Sequence, residues 1–188
     1  MLEMKERQAT PSVLVSLSGL VELKGWAYSS SGELEVGATT TYARLIAAEG
    51  LRGWHSVVSA VAGDLADRPV RTMGTIGGSL CQADPRFDMP VLVVGTDAVV
   101  DTVSPSGVRT RAAAELFAEG GGSALAPDEL LTRIRFPDSN KWTGVAFEKF
   151  RIRQFDSALA SVLCALTVGP DGRAVSYTHL TLPTIYSV

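Results

Sequence analysis

The stretch "VRTMGTIGGSLCQADPRFDMP", residues 70–90, decides how this chain is read. Gly77 and Gly78 place two residues without β-carbons side by side, so a ligand can come right up to the main chain there. Successive backbone N–H groups in such a turn can converge on an anion. Thr75 and Ser79 flank the pair with hydroxyls. Residues 74–79 therefore read as a glycine loop suited to a phosphate or diphosphate, or as an ordinary turn. No Gly-Lys-Ser/Thr follows and no GxGxxG precedes, so neither the Walker loop nor the dinucleotide fingerprint is present. Asp84 reads as a turn residue before Pro85. Asp88 reads either as an acceptor for a ribose or ribityl hydroxyl or as the cap of the apolar run that begins at Met89.

Around this stretch the chain alternates short β-prone and helical segments. Residues 12–20, "SVLVSLSGL", are rich in β-formers, and residues 23–38 read as a hairpin turning at residues 29–32. Residues 39–65 read as helix, capped by Thr39 or Thr40 and split by Gly50 and Gly53, with Trp54, Val57, Val58, Val61 and Leu65 on one buried face. "MPVLVVG", residues 89–95, is a short apolar helix or strand. Residues 97–111 carry β-type residues on both sides of Ser-Pro-Ser-Gly, a hairpin pattern. Residues 112–120 suggest a short helix and residues 120–129 a loop. Residues 129–137 and 144–155 suggest strands, residues 157–168 a long apolar element, and residues 169–172 a turn. The expected class is α+β, an antiparallel sheet with helices packed on it.

Composition narrows the function classes. The chain has 188 residues, 46% hydrophobic and 20% charged, with a net charge of −3, which suits one globular domain or little more and gives no reason to expect a nucleic-acid partner. The only basic cluster is Lys149, Arg151 and Arg153. Cys81 and Cys164 are too few and too far apart to hold an iron–sulfur cluster or a zinc site by themselves. They read as two buried thiols in a reducing, cytoplasmic compartment, with one disulfide as the alternative. No apolar run approaches the ~20 residues that span a bilayer, and residues 1–11 lack the apolar centre of a signal peptide. His55 and His179 are the only histidines and no GxSxG elbow exists, so hydrolase chemistry has no support.

Residues 70–90, with "LEVGATTTYARL" at 34–45, resemble the FAD-binding medium subunit of the molybdenum hydroxylases, the group of carbon monoxide dehydrogenase and xanthine dehydrogenase. "PSVLVSLSGL" and residues 144–166 are similar to further segments of that family, so the likeness runs from about residue 11 to residue 172. The resemblance implies the second subdomain of a vanillyl-alcohol-oxidase (PCMH)-type FAD-binding domain. It also implies an oxidoreductase subunit that passes electrons from the [2Fe–2S] clusters of a small partner subunit through FAD to an external acceptor, alongside a molybdopterin-binding large subunit. Carried over residue by residue, Thr75, Ile76, Gly77, Gly78 and Ser79 match the loop over the cofactor diphosphate, and Asp88 matches an aspartate contacting the cofactor. Leu131 and Lys149 match positions along the flavin. A cation at Lys149 would stabilise the anionic reduced flavin; a solvated lysine on a strand is the other reading. Residues 37–41 supply backbone near the flavin or merely a helix cap.

Two departures shape the expected domain organisation. The family's earlier glycine loop, of the "AGGTDL" or "AGGQSL" type, would precede Pro11 by a couple of dozen residues, and Met1 comes too late to include it. Residues 1–174 are thus expected to be a partial FAD-binding domain that holds FAD weakly. Residues 175–188, "VSYTHLTLPTIYSV", resemble translated sequencing-adapter sequence and are expected to be a non-native tail; the alternative is the returning strand of a hairpin. A cofactor-free module bridging the molybdenum and iron–sulfur subunits is the competing function.

Overall fold

The computed structural model describes Met4, Arg7 and residues 10–118, 122–139 and 143–183, of which 181–183 as backbone only. Parts of the N-terminal stretch, of the 120–129 loop and of the 175–188 tail lie outside these residues.

Two antiparallel sheets enclose a layer of helices. The larger has the order β1-β2-β5-β3-β4 and the smaller β6-β7-β8. β1 (Trp26–Tyr28) and β2 (Leu34–Gly37) form the expected hairpin, closed at Ser29–Gly32 by the Gly32 N–H donating to the Ser29 carbonyl. β3 (Val99–Ser104) and β4 (Gly107–Ala112) form the second hairpin, and β5 (Leu130–Phe136) returns between β2 and β3. Alternation along these strands turns Leu34, Val36, Val100, Leu131, Ile134 and Phe136 inward, all buried. β6 (Thr143–Phe150), β7 (Ala160–Val168) and β8 (Ala174–Pro183) make the second sheet. The stretch expected to form a single sheet thus builds two. The segment from Ala174 pairs with β7 from Val168↔Ala174 to Ala160↔Pro183, as the returning strand of a hairpin would.

Among the described residues, the helices that accompany the sheets are α1 (Tyr42–Ile46), α2 (Ser56–Asp64), α3 (Arg68–Met73), α4 (Ile76–Gln82) and α5 (Asp88–Gly95). Gly50 and Gly53, at φ of 89° and 49°, separate α1 from α2 as expected. The α1 cap is Thr41, whose hydroxyl accepts from the Arg44 N–H; Thr39 and Thr40 instead donate to the Leu23 and Gly25 carbonyls. α5 is buried on nearly every side, including Met89, Val91, Leu92 and Val93. Each of these side chains is worth about 1.5–3 kcal/mol of burial. α5 seats on β7 at Gly95, where an added Cβ would stand 2.6 Å from Leu163 Cδ2. Residues 12–20 form no strand, and Val13, Leu14 and Val15 are exposed, because no described strand lies alongside them.

Two buried polar groups are held by partners on other elements. His55, fully buried, donates from Nε2 to the Pro137 carbonyl at 2.8 Å and accepts at Nδ1 from the Tyr28 hydroxyl at 3.1 Å. Burial holds its pKa below the ordinary value, so it is a neutral structural clip. Glu129 sits between the Thr102 hydroxyl, the Ala126 N–H and the Arg111 guanidinium. Those bonds, the Thr102 one foremost, hold its carboxyl at about 2 rather than 4.5.

Two outcomes test this packing. The stability that Glu129 contributes is present above pH 4.5 and lost as pH falls toward about 2. Urea unfolding between these values should show that slope in the wild type. Glu129→Gln should flatten it and cost about 3–5 kcal/mol at neutral pH by leaving Arg111 buried without its counter-charge. At the start of α4, an alanine Cβ at Gly77 would lie 2.6 Å from both Ala38 Cβ and the Ala38 carbonyl oxygen, whereas one at Gly78 meets only the Thr75 hydroxyl at 2.9 Å. Gly77→Ala should cost about 1–3 kcal/mol. Gly78→Ala should stay within about 1 kcal/mol of wild type, since helix propensity offsets its tighter contact.

Candidate cofactor-binding site

The expected glycine loop is the first turn of a helix. Thr75 caps α4, its hydroxyl accepting from the Gly78 N–H at 3.1 Å. The Ile76 N–H donates to the Thr40 carbonyl and the Gly77 N–H to the Ala38 carbonyl. The N–H groups expected to converge on an anion are therefore engaged within the chain. Gly77 is a glycine because α4 crosses Ala38 at van der Waals distance; Gly78 is exposed. The same bonds, with a Thr41↔Thr75 bridge, knit residues 37–41 to residues 74–78.

One turn further, α4 delivers Ser79 to a cleft of about 120 Å³. Tyr42 from α1, Leu65 and Ala66 beyond α2, Arg86 and Phe87 before α5, Asp88, Lys149 and residues Phe155 to Ser157 line it. The wall thus mixes aromatic and aliphatic surface with the hydroxyls of Tyr42, Ser79 and Ser157 and an ion pair. Burial pushes the Tyr42 phenol up, opposed by a bond from the Ser79 side chain.

Asp88 and Lys149 are the charged centre. Asp88 is the first residue of α5, and Phe87 is the cap position, so Asp88 is not the helix cap that the sequence allowed. Lys149 Nζ lies 2.7 Å from Asp88 Oδ2, with both side chains only 4% exposed. The solvated-lysine reading therefore fails: period-2 alternation in β6 turns Lys149 toward the helices. Its ammonium also donates to the Asp64 carbonyl at 2.8 Å, at the C-terminus of α2, where Arg151 pairs with Asp64 Oδ1 at 2.6 Å. Burial pushes the Asp88 carboxyl up, against the pull of Lys149. Burial also raises the Asp64 carboxyl, but Arg151 and Lys149 more than offset it. Asp88 Oδ1 is buried without a partner among the described residues.

Of the residues expected to touch a cofactor, the fold brings Ser79, Asp88 and Lys149 to this one cleft. Thr75, Ile76, Gly77 and Gly78 stand at the head of the helix that carries Ser79. Leu131 lies apart from it, 2% exposed in β5 opposite Thr102. Asp84 closes a turn, accepting from the Arg86 N–H and pairing with its guanidinium, as its place before Pro85 suggested. Tyr42, Phe87 and Phe155 were not legible as cleft residues. The Tyr42 position follows a capping threonine like any helix start, and Phe155 lies in the loop between β6 and β7.

The donor set fits a flavin nucleotide. A buried carboxylate oxygen without a partner can accept from a ribityl hydroxyl or ring N–H, Ser79 and Tyr42 bring hydroxyls, and Leu65, Phe87 and Phe155 offer apolar contact. Among the described residues no helix is long and apolar enough to cross a membrane. Cys81 and Cys164 are unpaired, and burial pushes the Cys81 thiol up to about 11.

The carbon monoxide dehydrogenase medium chain of Afipia carboxidovorans is 34% identical over 173 residues, covering 92% of this chain and 59% of that protein. The xanthine dehydrogenase FAD-binding subunit of Escherichia coli O157:H7 is 28% identical over 141 residues, 74% of this chain and 48% of that subunit. Among solved structures, reconstituted CO dehydrogenase from Oligotropha carboxidovorans superposes with a TM-score of 0.89 at 33% identity, over 96% of this chain and 63% of that one. The chain thus spans about three-fifths or less of the relatives it matches. The family model described as the FAD binding domain in molybdopterin dehydrogenase matches residues 1–139, up to the segment before β6, and the chain belongs to that family of FAD-binding oxidoreductase components.

Proposed function

We propose that this chain holds FAD as the electron-transfer component of a molybdenum hydroxylase. Electrons arrive from [2Fe–2S] clusters on a small subunit, after substrate is oxidised at a molybdopterin-binding large subunit, and leave to an external acceptor. A cytoplasmic setting goes with this reading, since a reducing compartment keeps thiols such as Cys81 and Cys164 unpaired.

The observation that carries the proposal is the buried, unpartnered Oδ1 of Asp88 at the wall of a cleft in a chain of this family. Bound FAD supplies redox chemistry that no side chain here possesses. The chain's own residues bind and orient. Asp88 offers an acceptor whose second oxygen Lys149 already satisfies. Ser79 and Thr75 offer hydroxyl protons, Gly78 leaves room for close approach, and Ile76 and Gly77 fix the start of α4 against Thr40 and Ala38. Leu131 supports the layer from within the sheet, and Phe87 and Phe155 offer apolar contact at the cleft.

Titration of the chain with FAD, followed by quenching of flavin fluorescence and by the visible spectrum, should saturate with a perturbed flavin band. Asp88→Asn should weaken binding about 10- to 100-fold, the equivalent of losing a charge-assisted hydrogen bond worth about 1.5–3 kcal/mol. A folded wild-type chain that gives no saturable quenching would refute the proposal and leave the cofactor-free bridging module in its place.

A further inference from the structure

Lys149 is engaged by the chain's own acceptors. Its Nζ donates to Asp88 Oδ2 at 2.7 Å and to the Asp64 carbonyl at 2.8 Å, and Asp64 Oδ2 lies 3.4 Å away. Two of the three ammonium protons are spent on the chain's own oxygens, with the Asp64 carboxylate beside them as a second counter-charge. Asp88 has used one oxygen only: Oδ1 is buried and has no partner among the described residues. An open valence in this pair belongs to the carboxylate.

From this geometry we infer that Lys149 is a positioning residue, acting on the cleft through Asp88: it keeps Asp88 ionised and anchors Oδ2, so that Oδ1 accepts from a ligand hydroxyl or N–H. The inference rests on the reading of the cleft as an FAD site. It assigns Lys149 a different part from a cation lying against the flavin. The physical need is plain, since a carboxylate buried alone takes up a proton and becomes a donor as well as an acceptor. Burial already pushes the Asp88 carboxyl up, and the Lys149 bond is the chief opposing influence. Asp64 on α2 acts in the same direction as burial, and Arg151, beyond β6, acts against it. The other titratable groups at the cleft are Tyr42 on α1, Arg86 before α5 and Asp156 in the loop after β6. Arg86 is paired with Asp84.

The test follows two readouts in the whole chain from about pH 5 to pH 9: the Asp88 carboxyl by 13C NMR, and FAD affinity by fluorescence. In Lys149→Met the Asp88 midpoint should rise by at least about two pH units. FAD affinity should follow, close to wild type near pH 9 and falling about tenfold per pH unit below the new midpoint. Lys149→Arg should restore the wild-type profile, and Asp88→Asn should bind weakly at every pH without a step. Should Lys149→Met fail to fold, Lys149→Gln keeps a donor to Oδ2 without the charge and carries the same expectation. A loss of equal size at every pH would mean that Lys149 bonds the ligand directly and would overturn the inference. So would an unchanged profile with only a lower melting temperature. A wild-type chain that binds no FAD would sink the reading of the cleft, while the NMR midpoint would still decide whether Lys149 holds Asp88 ionised.

Discussion

The ion pair between Lys149 and Asp88 holds the two halves of this molecule in register. Lys149 belongs to the smaller sheet, Asp88 opens the central helix α5, and the Asp64 carbonyl that Lys149 also engages ends α2. One ammonium therefore ties a strand to the start of one helix and the end of another. The ends suit the charges: a carboxylate is favoured at a helix N-terminus and a cation at a C-terminus. Both side chains of the pair are almost wholly buried, and separating them would leave an uncompensated charge in the interior, a cost of several kcal/mol.

The same arrangement makes the cleft. Because α5 is locked at its first residue by Lys149 and at its last by Gly95 against Leu163, the Asp88 carboxylate has little freedom, and its second oxygen stays fixed at the cleft wall. α4 is set independently, by the close approach of Gly77 to Ala38 and by backbone bonds to Thr40 and Ala38. These two placements decide that Ser79 and Asp88, nine residues apart in sequence, face one space. The glycines thus serve the site by letting helices pack closely, and the polar contacts come from the residues just beyond them.

Much of the fold was legible in the chain itself. β-forming residue types marked the stretches of β1, β2, β3, β4 and β5, and turn residues marked both hairpin loops, because these depend on neighbours a few positions away. The helical reading of residues 39–65 and its break at the two glycines followed from side-chain period and from φ values only glycine adopts readily. Less was legible where long-range pairing decides. Residues 12–20 have strand composition but no described strand beside them, and β propensity without a partner forms nothing. Two sheets rather than one arose because β6 pairs with β7 and not with β5, a choice of partner that propensity does not encode.

The site divides in the same way. Sequence alone determined which residue types gather around residues 74–88, that a close backbone approach occurs at Gly77, and, through resemblance, the family and its cofactor. The tertiary structure alone decided that the N–H groups of Ile76, Gly77 and Gly78 are spent on the chain's own acceptors. It also decided that Lys149 is buried, that its partner is Asp88, and that Leu131 stands away from the cleft. The reason is separation along the chain: Lys149 lies 61 residues from Asp88, and a charge has no sequence signal for its partner when only the packing of two sheets on one helical layer brings the pair together.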